Sequence, residues 1–145
     1  MSLSAFNAPA LDGSYARRDA TGPVPLSAAR RRQGRILTGA GLALLPWLGF
    51  LAGTLPPAEA AAWVALDALE AAALLAAGTR LLRGDSHHRA PAAAAAVLLL
   101  ADACLDLATA APGTELATAL AMAVGAELPL AGLCAWLASR RTRGA

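Results

Sequence analysis

Four long apolar stretches, with every arginine placed at their ends or beyond them, constrain this chain more than any other feature. The stretches cover about residues 36–55, 60–82, 91–111 and 115–138. Each holds roughly 20 residues or more, and at ~1.5 Å per residue a helix of that length crosses a hydrocarbon core of ~30 Å. Hydrophobic residues make up 57% of the chain and charged residues 15%, which sets it apart from an ordinary soluble domain. The fold class implied is all-α: a four-helix transmembrane bundle over residues 35–140, with a short cytoplasmic tail at 141–145.

Residues 1–34 hold Pro9, Pro23 and Pro25 and no sustained apolar period, so this segment reads as a disordered cytoplasmic tail. It ends in the basic run Arg30-Arg31-Arg32-Gln33-Gly34-Arg35. That run, the first apolar stretch and Ala58-Glu59-Ala60 together form a competing pattern, a cleavable signal peptide with an A-x-A site. The length of both tail and stretch favours a retained first helix, with Pro56-Pro57 as the turn after it. All twelve basic residues are arginine, and they fall in the tail, around the His87-His88 loop and at the C-terminus. The turns at Pro56-Pro57 and Pro112-Gly113 hold none. By the positive-inside rule both termini and the histidine loop are cytoplasmic and the helices run up-down-up-down, a multi-pass arrangement suited to a bacterial inner membrane. Gly39, Gly41, Gly49 and Gly53 predict a closely packed first helix, with Gly49-xxx-Gly53 as the contact and Pro46 as the site of a kink.

Inside this apolar background lie five acids. Asp67 and Glu70 are three apart in the second stretch, Asp102 and Asp106 four apart in the third, so each pair occupies one helix face. Glu127 sits in the middle of the fourth stretch, within Glu127-Leu128-Pro129. Counting from each midpoint puts Glu70, Asp102 and Glu127 near the midplane, with Asp67 and Asp106 roughly 6 to 8 Å nearer the outside. Each costs about 2.5 to 3.5 kcal/mol to insert, so the acids belong in the bundle interior. No basic residue in the spans is placed to pair with them, since Arg80 is about 13 Å from the midplane on the cytoplasmic side.

Three things relieve such a cluster: bound protons, a shared cation, or a water-filled cavity. Carboxylate oxygens suit hard divalent ions, Ca²⁺, Mg²⁺ or Mn²⁺. Redox iron is disfavoured because no Glu-x-x-His motif occurs in the spans. His87-His88 reads as a solvated loop pair. Cys104 and Cys134 lack a CxxC spacing and read as free thiols. Neither a nucleophilic triad nor a phosphate-binding loop can be assembled, and nothing marks a nucleic-acid partner, so an enzyme is the least favoured class. Thr109, on the face of Asp102 and Asp106, and Trp47, beside Pro46, are accessory candidates at the site.

The phrases WVALDALEAAALL, ADACLDLATA and GAELPLAGLCAWLASRR, on three consecutive stretches, resemble a group of uncharacterised small integral membrane proteins of actinobacteria and other GC-rich bacteria. The resemblance covers about residues 35–143 and implies four helices and a bacterial source, with no substrate. The reading of the residues themselves is a cluster of Asp67, Glu70, Asp102, Asp106 and Glu127 that binds or relays protons or cations, in a small transporter or a subunit of one. The alternative is a structural or interaction protein whose acids only hold helices together. Four helices are few for a transport machine, so the first reading also expects the lipid bilayer and a homodimer or larger membrane complex as partners.

Overall fold

A computed structural model describes residues 26–54 and 56–140. The first helix, α1 (Ala28–Thr54), is followed by α2 (Pro57–Leu82), a 3₁₀ turn (Ser86–His88) and α3 (Arg89–Thr109). The fourth span is α4 (Thr114–Met122), a π-helical turn (Ala123–Glu127) and α5 (Leu128–Ser139). Four helices are long and apolar enough to cross a membrane, and no strand occurs among the described residues. The tail expected over 1–34 lies outside the described residues up to position 25, as does the C-terminal tail at 141–145.

Where the tail is described, the expectation needs correction, because residues 28–34 already belong to α1. Ser27 begins the helix: its Oγ accepts from the Arg30 N–H at 3.3 Å, satisfying one of the free donors of the first turn. The arginine run that follows is a good helix former, so the helix starts well before its apolar part. α1 then runs as continuous helix through Pro46. Pro57 opens α2 at the position where a missing N–H costs nothing. Gly84, at φ 75°, ends it in a left-handed turn in which the Asp85 N–H reaches the Arg80 carbonyl at 2.9 Å. Between α3 and α4 the chain reverses at Gly113, φ 107°, and Glu115 closes the turn by accepting from the Ala111 N–H at 3.1 Å.

α1 packs along α2, α2 on α3, and α3 on α5, while α1 has no extended contact with the third and fourth spans among the described residues. The α1–α2 contact is made through glycine; of those the sequence pattern favoured, Gly41 takes part, whereas Gly39 and the expected Gly49-xxx-Gly53 pair do not. A Cβ at Gly39, Gly49 or Gly53 would meet nothing within 4 Å. Gly34 and Gly41 of α1 and Gly78 of α2 are the close approaches; at Gly78 a Cβ would stand 2.8 Å from the Thr38 backbone nitrogen and 2.9 Å from the Gly34 carbonyl. Small residues let two backbones meet in this way in lipid, where there is no hydrophobic drive between helices.

The apolar core lies at the end of the bundle that carries the histidine loop, built from Leu37, Leu74, Leu81, Leu99, Cys134 and Leu137 with alanines between them. That end is also tied by polar contacts. Arg89 Nε donates to the Ala138 carbonyl at 2.8 Å, joining α3 to α5, and Arg80 Nη1 donates to the His87 carbonyl at 3.2 Å. Arg140 lies over the Trp136 ring, 3.6 Å from its centroid. Toward the far end α3 touches α4 only sparsely, and Leu69, Leu105 and Leu120 turn outward.

Within the loop, the reading of a solvated histidine pair holds for His87 alone. His88 is buried, 6% exposed, with its Nδ1 on the Asp85 carbonyl at 2.6 Å. Asp85 Oδ1 accepts from both the backbone N–H and the ring Nδ1 of His87, each at 2.8 Å. The backbone hydrogen bond from His87, followed by its side-chain bond, holds the Asp85 carboxyl below its ordinary value of 3.8. A carboxyl depressed on folding contributes stability above its unfolded value, and the contribution is lost as pH falls through the folded one. The thermal midpoint of Asp85→Ala should therefore lie below that of the wild type at pH values above about 4, and the gap should close at lower pH.

Candidate functional site

The acidic pairs stand where the packed end of the bundle gives way to the looser one. On α2, the three-residue spacing places Asp67 and Glu70 on the face turned toward α3, and both are buried, at 5% and 2% exposed. On α3, Asp102 and Asp106 are half-buried on the matching face. Glu127, 6% exposed, comes from the fourth span. The five acids picked out from the sequence are thus brought together from three helices.

They meet as two overlapping groups of three. Oxygens of Asp67, Glu70 and Asp102 lie within 4.8 Å of one another, and so do oxygens of Asp102, Asp106 and Glu127. Asp102 belongs to both. Glu70 Oε1 and Glu127 Oε2 are buried without a hydrogen-bond partner among the described residues. Such atoms are uncommon in folded proteins, because a desolvated acceptor with nothing to accept from costs about 1–3 kcal/mol. Among the described residues no cation is paired with the cluster, and the one ion pair is His87 with Asp85, in the loop.

The π turn explains how Glu127 is set. Pro129 has no N–H, and its ring would press on the carbonyl four residues back in a regular α-helix. Widening the turn relieves that clash, and the Leu128 N–H bonds the Ala123 carbonyl five residues earlier. One extra residue in the turn re-aims the side chains before it relative to those after it, which is a recurrent use of π turns at functional positions. The sequence signal was Glu127-Leu128-Pro129, where proline interrupts an otherwise regular apolar helix. Its consequence for the hydrogen-bond pattern was not read from the sequence.

The two accessory candidates are placed differently. Trp47 stacks on Phe50, with ring centroids 5.4 Å apart, and its indole lies beside the Asp67 carboxylate, so α1 touches the cluster there. Thr109 is exposed, and its hydroxyl donates to the Leu105 carbonyl of its own helix at 2.8 Å, an ordinary back-bond that takes it away from the cluster. Cys104 is exposed on the bundle surface and Cys134 is buried in the core, and both are free thiols.

An apolar groove of about 560 Å³ opens between α2 and α3, lined by Ala58, Ala62, Trp63, Leu66 and Leu105. Among the described residues no carboxylate forms its wall. The class of protein that fold and site define is a multi-pass helical membrane bundle with an acidic cluster in its spans. No family model, curated protein or solved structure matches the chain.

Proposed function

We propose that the cluster of Asp67, Glu70, Asp102, Asp106 and Glu127 binds and relays protons or cations across the membrane, in a small transporter or a subunit of one. The observation that carries this reading is the pair of orphaned oxygens, Glu70 Oε1 and Glu127 Oε2, buried inside a five-acid group that has no basic partner in the described chain. Intramembrane acids are costly, and their usual roles are ion pathways and proton relays. Hydrogen bonding between helices accounts for them less well, because acids kept for association would be expected to have their buried oxygens paired. The arginine distribution supports a bacterial inner-membrane location with both termini cytoplasmic, which puts the looser end of the bundle outside. Four spans are few for alternating access, so the working unit is a homodimer or a larger complex.

Flux into proteoliposomes under a proton or divalent-ion gradient tests the proposal. Wild-type protein should carry the ion, and Asp67→Asn and Asp102→Asn should each reduce the rate by at least about tenfold, the loss of one of a few essential ligands. Flux unchanged by both substitutions, with only thermal stability lowered, would leave the acids a purely structural role.

A further inference from the structure

The geometry points to two cation sites rather than one: the cluster holds a pair of hard divalent ions bridged by Asp102, with Asp67 and Glu70 completing the first site and Asp106 and Glu127 the second. This rests on the cation form of the function proposed above and specifies its ligand.

The first support is the division of the cluster. A divalent ion with oxygen ligands at about 2.3–2.6 Å can hold ligand atoms up to about 5 Å apart when they stand opposite one another. The oxygens meet a comparable limit in two sets of three, and only Asp102 is common to both sets. Two oxygens on one carboxyl can serve two ions at once, so Asp102 occupies the bridging position.

The second support is the pair of orphans, because each triad has its own. Glu70 is 2% exposed and completes the first triad, with Oε1 unpartnered; Glu127 is 6% exposed and completes the second, with Oε2 unpartnered. A single ion would leave one of the two uncompensated. Charge is compatible with the same count: with all five carboxylates ionised, one divalent ion would offset two of the five negative charges and a pair would offset four, any acid left over being neutralised by a proton.

Each triad supplies three protein oxygens, fewer than the six or more that these ions take, so water is expected to fill the remaining positions. Such water would enter from the end where the fourth span stands off α3. All-oxygen donors exclude a thiolate or imidazole metal set, and Cys134, the buried thiol, belongs to the core cluster and not to either triad.

The test uses the full chain, purified in detergent, titrated with Mn²⁺ alone and followed by electron paramagnetic resonance, which reads both the number of bound ions and their magnetic coupling. Wild-type protein should bind two Mn²⁺ per chain with a coupled spectrum. Asp67→Asn and Asp106→Asn should each leave one ion, the double variant none, and Asp102→Asn should abolish the coupling and weaken both sites by at least tenfold. Glu70→Gln and Glu127→Gln form a second single-site pair if either aspartate variant fails to fold. One ion per chain in the wild type, or one ion retained by the double variant, would overturn the two-site arrangement. If no Mn²⁺ binds while proton flux still depends on Asp102, the two-ion inference fails and the relay reading stands; if flux is also indifferent to Asp102, both fail.

Discussion

Gly78→Ala is expected to loosen the α1–α2 contact and lower the stability of the bundle by about 2 kcal/mol, although it adds only one methyl group and improves helix propensity. The added Cβ would stand 2.5 Å from Thr38 Oγ1, 2.8 Å from the Thr38 nitrogen and 2.9 Å from the Gly34 carbonyl. Two of those three atoms are backbone, and neither can move without shifting α1 as a whole. Overpacking of this kind costs about 1–3 kcal/mol or more, against a propensity gain of at most about 1 kcal/mol. Gly34→Ala should be milder, because its nearest contacts, at 2.7 and 2.8 Å, are carbons of the flexible Leu82 side chain. Gly49→Ala and Gly53→Ala meet nothing within 4 Å and should be neutral or slightly stabilising. Thermal unfolding of the four variants in one detergent checks the order, and a neutral Gly78→Ala would contradict the packing described here.

Glu70→Leu should separate stability from function. Glu70 is among the most buried side chains of the bundle, and its Oε1 has no partner. Replacing a buried, unpaired polar group by an apolar one of similar volume removes a desolvation cost of about 1–3 kcal/mol, and changes of this kind in other proteins are often stabilising. The variant is therefore expected to melt at a higher temperature than the wild type when no cation is added, and to lose flux. Acids that served only to bind helices together would give the opposite result, a lower melting temperature. Measuring melting and flux on the same preparation decides between the two roles.

Much of this arrangement was legible in the sequence. Arginines confined to the ends of the stretches, together with spans of about 20 residues, led to four antiparallel helices and to two neighbouring levels for the five acids, Glu70, Asp102 and Glu127 at one and Asp67 and Asp106 roughly 6 to 8 Å from it. Depth is readable because the rise of a helix is fixed. Facing is harder to read, since a membrane helix is apolar on its lipid side and on its packed side alike, and hydrophobic periodicity then says little about which is which. That is why Gly49 and Gly53 looked as suitable for close contact as Gly41, and why Gly34, within the basic run, was not singled out. The partner glycine, Gly78, lies on another helix, where no spacing within α1 could reveal it.

Local turn chemistry set the other differences. Asp85 folds the histidine loop back on itself, which buries His88 while leaving His87 in the open. Pro129 was visible as an interruption, yet the π turn before it depends on how one proline ring is accommodated in a packed helix. The arginine run at 30–35 belonged to a helix longer than its apolar part, and Ser27 marked the true start. For the cluster, the sequence supplied the five members, whereas its division into two triads sharing Asp102 depends on distances between side chains of three helices.

Infrared difference spectroscopy of the carboxyl groups tests the central claim most directly, because it observes the acids themselves. Protein in lipid would be compared with and without divalent cation, and across a pH series, for the wild type and for Asp67→Asn and Asp102→Asn. The account predicts carboxyl bands that change on adding the cation or changing the pH, and difference signals that shrink in both variants. Carboxyl bands indifferent to cation and to pH over the whole range in which the protein stays folded would contradict it.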